Sequence, residues 1–142
     1  LADDGGIGRL QKRLAAIPKQ LKQDVQPALT KQAETMARTM RTLVPTDTHD
    51  LEASIAVTPS GQMTPPYSQP GGSMTVPENA AAITVGNEDV RYGHLVEYGH
   101  AASNGTVVPP QPFFWPAVRL HQKKVKTALK RAVAKAVREA GK

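Results

Sequence analysis

Apolar residues recur in the chain at two periods, and the period changes along its length. Ile7, Leu10, Leu14 and Ile17 are three or four positions apart, the repeat that keeps them on one helix face. Pro18 interrupts this first helix, and a longer one is expected beyond it, carried by Leu21, Val25, Leu29, Ala33, Met36, Met40 and Leu43. Pro27 lies inside that pattern and should kink or restart the helix, because it lacks an N–H and crowds the preceding turn. Pro45 closes the segment.

The period then drops to two. Leu51, Ala53, Ile55 and Val57 alternate with Glu52, Ser54 and Ala56, which predicts a half-buried strand over 51–58. Residues 80–86 predict a second strand, antiparallel to the first. Between them, residues 59–77 carry Pro59, Gly61, Pro65, Pro66, Pro70, Gly71, Gly72 and Pro77, and read as a long flexible loop. Residues 91–99 predict a short helix stopped by a left-handed Gly99, with a strand as the close alternative, and residues 100–112 read as loop. From Pro116 the helical period returns in Val118, Val125, Leu129, Val133 and Val137, with Lys and Arg on the opposite face. Helices and strands do not alternate as in a parallel sheet. The expected class is α+β: N-terminal helices, a small antiparallel sheet with a long Pro/Gly-rich loop, and a basic C-terminal helix over 117–142.

Composition narrows the reading. The 142 residues suit a single domain, 1–142, and the 12 prolines, 11 glycines and 4% aromatic content imply a modest core. The absence of cysteine excludes disulfides and thiolate metal sites. No apolar run approaches the ~18–20 residues of a membrane span. The acidic, small-residue start Leu1-Ala2-Asp3-Asp4 is unlike a signal peptide, so the expected compartment is cytoplasm-like.

Charge is segregated. Residues 1–44 hold eight Lys/Arg and four Asp/Glu; residues 45–116 hold one and seven; residues 117–142 hold nine and one. Such asymmetry suits contact with nucleic acid, or contact between the basic ends of one subunit and the acidic middle of another. A solvated helix face is the plain alternative.

Three patches carry more specific information: Val44-Pro45-Thr46-Asp47-Thr48-His49-Asp50-Leu51-Glu52-Ala53-Ser54-Ile55, Tyr92-Gly93-His94-Leu95-Val96-Glu97-Tyr98-Gly99-His100 and Pro110-Gln111-Pro112-Phe113-Phe114-Trp115-Pro116-Ala117. In this order, followed by a basic helix, they resemble the gene-product-ten-like family of HK-ninety-seven-type phages, over about residues 20–140. Two positions depart from the family pattern. His49 stands where the family has a turn glycine, so the turn is expected to be built differently, and His100 replaces a threonine. The resemblance implies a structural protein of a siphovirus neck: a tail-terminator, tail-completion or head–tail joining subunit that acts in a homo-oligomeric ring, expected to be hexameric. The implied partners are the tail-tube protein and the head connector or stopper, with DNA passing through the ring. The implied location is the virion, after assembly in the host cytoplasm.

The chemistry of the patches agrees with a scaffold. Thr46-Asp47-Thr48 can hold a helix-to-strand turn through side-chain oxygens. Glu97 is a lone carboxylate among apolar neighbours and needs a partner if buried; Arg91 and the C-terminal lysines are the candidates. Phe113, Phe114 and Trp115 are half of the chain's aromatics, flanked by prolines, and suit a core plug or an interface anchor. His94, Glu97 and His100 lack the four-residue histidine spacing of a metalloprotease helix, and no phosphate-cradling glycine motif is present. No catalytic, cofactor or metal residue is therefore assigned. The interface candidates are Asp47, Tyr92, Glu97, Tyr98, Pro112, Phe113, Phe114, Trp115, Lys123, Lys124 and Lys130. The alternatives are a non-specific DNA binder using the basic C-terminal helix, and a head-side stopper or adaptor ring.

Overall fold

The computed structural model describes residues 6–9, 12, 19–45, 49–69, 72–101 and 103–140. Most of the helix expected over 7–17 lies outside these residues; residues 7–9 and 12 are helical. Helix α1, Lys19–Leu43, buries Val25, Leu29, Met36 and Met40 of the predicted stripe together with Ala37, while Leu21 and Ala33 are half-buried. The stripe ends on Val44, whose amide donates to the Met40 carbonyl at 3.0 Å, while Leu43 is exposed. Pro27 sits on the exposed side of this single helix, so the chain does not restart there. Burial of Val25 and Leu29 on either side offsets the lost amide.

The strand expected from Leu51 begins later. Residues Asp50–Ala53 form a helical turn, α2, and strand β1 is only Ala56–Thr58. The buried set here is Leu51, Ser54 and Ile55, which is helical spacing. The period-two reading fails because a buried serine completes that set, and a count of apolar residues passes over it.

Strand β2, Ala82–Thr84, pairs antiparallel with β1 as expected, with Ala56 opposite Thr84, Val57 opposite Ile83 and Thr58 opposite Ala82. The connecting residues 59–77 are more organised than their composition suggests. The amide of Gly61 donates to the Val76 carbonyl, that of Val76 to Gln62, and that of Thr64 to Met74, each at 2.8 Å. Thr64, Ser68 and Val76 are buried, and Gln69 bridges to Val85 just beyond β2.

Residues Gly93–Tyr98 form a short helix, α3, which settles the choice between helix and strand. Gly99 stops it with φ 75° and ψ 169°, so its φ is positive but the conformation is not the left-handed helical one expected. A small hairpin, β3 His100–Ala101 paired with β4 Val107–Val108, occupies a stretch read as loop. Strands of two residues are too short to leave a periodic signal in the sequence.

Helix α4, Phe114–Ala140, packs along α1 with Ala117, Val125, Leu129 and Ala136 buried. Val118 and Val133 are half-buried and Val137 is exposed, so the expected stripe holds except at its end. Thr39 Oγ1 and His121 Nε2 meet at 2.6 Å between the two helices. Ile55 and Val85 at the ends of the sheet strands, with Val90 and Phe113, join the same core as the helix pair.

Candidate functional site

The second and third sequence patches meet at the start of α4. Glu97, on α3, is only 6% exposed. Its Oε2 accepts from the backbone amides of Phe113 at 2.8 Å and Phe114 at 3.0 Å, and its Oε1 from that of Trp115 at 3.1 Å. The first amides of a helix have no intrahelical partner and carry the positive end of its dipole. The carboxylate therefore finds its counter-charge in the helix start rather than in a basic side chain. Arg91, expected as the partner, instead stacks over the Tyr67 ring at 3.8 Å and donates Nε to the Glu88 carbonyl at 3.1 Å.

This capping sets the aromatic triplet in place. Phe113 is 1% exposed and fills the core beneath α3 and β2, a burial worth roughly 1.5–3 kcal/mol. Phe114 and Trp115 are half-buried, with ring centroids 5.2 Å apart in an edge-on arrangement. The Trp115 Nε1–H donates to the Tyr98 hydroxyl at 2.7 Å, and Tyr98 is 66% exposed. Gln69, Val85, His94, Glu97, Tyr98 and the three aromatics line one shallow cleft. Gly93 forms its floor: a Cβ there would come within 2.7 Å of Val85 Cγ1, so the close packing of α3 on the sheet requires glycine.

The first patch supports this assembly from below. The Ser54 hydroxyl donates to the Leu51 carbonyl at 2.7 Å and accepts from the Gly86 amide at 3.1 Å, tying α2 to the end of β2. The turn before α2 keeps a left-handed residue, His49 with φ 61° and ψ −1°. The histidine thus adopts a glycine-like conformation itself, while Thr46-Asp47-Thr48 of the turn lie outside the described residues. Its Nδ1 lies 3.2 Å from Glu52 Oε2.

A family model described as "Bacteriophage HK97-gp10, putative tail-component" matches residues 8–99, about two thirds of the chain. The chain belongs to the HK97-gp10-like family. The match takes in the first patch and the second up to Gly99, so His100 and the Pro110–Ala117 patch lie beyond it. Membership gives the protein a structural role in a bacteriophage tail. No curated protein and no solved structure matches the chain.

In this HK97-gp10-like chain the expected interface residues fall into separate groups. Glu97, Tyr98, Phe113, Phe114 and Trp115 come together in the cleft. Pro112 is exposed just before it, and Tyr92 precedes α3 and is 39% exposed, outside the cleft lining. Asp47 lies outside the described residues. Lys123, Lys124 and Lys130 are exposed on α4, and the first two line a different shallow groove with Thr127, Ala128 and Arg131. Sequence reading missed the Arg91–Tyr67 stack and Leu120, which is 66% exposed on α4. The signal for Leu120 was its place off the apolar stripe. Among the described residues, no group of three or more histidines and carboxylates is placed to hold a metal ion, and no helix is long and apolar enough to cross a membrane.

Proposed function

We propose that the protein is a subunit of a closed, hexameric neck ring that terminates or completes the tail tube and joins it to the head connector, leaving an opening for DNA. The observation that carries this reading is the family match over residues 8–99. The geometry supports it physically. The cleft at the start of α4 presents Tyr98, Phe114 and Trp115 on a backbone held by three hydrogen bonds to one carboxylate. Rigid, partly exposed aromatics lose little entropy on docking, which suits an interface anchor. Heterologous contacts that close by rotation make rings of such subunits.

The test is electron microscopy of purified protein mixed with tail tubes, with native mass spectrometry of the free protein. A closed oligomer seated at one end of each tube is the expected result. A protein that stays monomeric and never joins tubes or connectors overturns the reading.

A further inference from the structure

The exposed face of α4 is basic, with Leu120 its most exposed large apolar residue. Lys123, Lys124, Lys130 and Arg131 are exposed, and none of them meets a carboxylate among the described residues. Leu120 stands on the same face, three and four residues before the first two lysines. A merely solvating helix face gains nothing from a leucine two thirds exposed, whereas a docking face gains an anchor. The like charges also repel one another until an acidic surface covers them.

The chain carries such a surface. Within residues 45–116, where Arg91 is the single Lys or Arg, Glu88 and Asp89 lie side by side and exposed. Glu88 and Asp89 are the exposed acids of one fixed turn: Asn87 Oδ1 accepts from the amides of Asp89 at 2.9 Å and Val90 at 3.0 Å. Arg91 engages the Tyr67 ring and the Glu88 carbonyl rather than either carboxylate. Both carboxylates lack an ion pair among the described residues.

We infer that the basic stripe of α4 docks on the Glu88–Asp89 turn of a second copy of this chain, with Leu120 as the apolar anchor. The inference rests on the ring reading and assigns one of its contacts. Two different patches of opposite sign on one subunit make a heterologous contact, the kind that propagates around a ring.

A charge swap tests it. Two variants are made, Lys123→Glu/Lys124→Glu/Arg131→Glu and Glu88→Lys/Asp89→Lys, and subunit association is measured by native mass spectrometry with and without tail tubes. All five positions are exposed, and circular dichroism checks that both variants fold. Each variant alone should associate at least about tenfold more weakly than the wild type, because close interfacial charge pairs couple strongly. A one-to-one mixture should recover assembly as alternating rings, since each stripe then meets a turn of opposite sign. Unchanged rings from either variant alone overturn the contact and leave the ring reading standing. Loss of assembly without recovery in the mixture overturns the contact as well. Intact rings with lost, salt-sensitive binding of duplex DNA overturn it in favour of nucleic acid. A wild-type protein that never forms rings overturns both readings together.

Discussion

Glu97 shows how one side chain can organise a surface. Its carboxylate satisfies three amides, one buried and two part-buried, and leaving a buried one without a partner costs about 1–3 kcal/mol. Glu97→Ala is expected to lower stability in urea denaturation by about 2–4 kcal/mol. Glu97→Gln keeps an acceptor oxygen but loses the charge that favours a helix start, and should cost about 1–2 kcal/mol. The reverse effect is expected at His49, which holds φ 61° without the freedom of glycine. His49→Gly should stabilise by about 0.5–1 kcal/mol, since its side chain makes only an exposed contact with Glu52. Gly99 is stricter. A Cβ there would lie 2.8 Å from both Pro110 N and Val108 O, so Gly99→Ala should lower the melting temperature more than Glu97→Gln does. The need for a partner at Glu97 was legible in its apolar neighbours. The partner itself was not, because backbone amides belong to no residue type.

At the scale of elements, the helices were readable and the short strands only in part. α1 and α4 each repeat their apolar spacing over many turns, so one buried stripe defines each. The pairing of residues 51–58 with 80–86 was expected, but α2 replaced the first half of its strand. Residues 59–77 show the limit of composition. Prolines and glycines mark turns, yet the backbone between them can still pair, as Gly61, Gln62, Thr64, Met74 and Val76 do. In hydrogen exchange of the free subunit, the amides of Gly61, Thr64 and Val76 are expected to be slower than those of residues 103–106, at the exposed tip of the β3–β4 hairpin. Equal fast exchange in both segments would return 59–77 to the flexible loop that its composition suggests.

At the scale of the whole molecule, the proposed ring function assigns stability and assembly to different parts of the aromatic triplet. Phe113→Ala should cost about 3–5 kcal/mol, because it empties the centre of the core. Tyr98→Ala with Trp115→Ala removes a hydrogen-bonded pair at the surface, one exposed and one half-buried, so it should change stability less and, under the proposed ring function, abolish capping of tail tubes. Electron microscopy of capped tails beside thermal melts separates the two effects. By itself the sequence determined the α+β class, the two long amphipathic helices, the strand pairing, the charge segregation and the family resemblance. These depend on local period, composition and order, which survive in a linear string. Only the tertiary structure decided that Glu97 caps α4 and that Phe113 parts from Phe114 and Trp115 into the core. It also decided that Arg91 serves Tyr67 and that His49 takes a glycine's conformation. Each of these depends on which groups, distant or neighbouring in sequence, the packed elements bring together. That quantity does not exist until the elements meet.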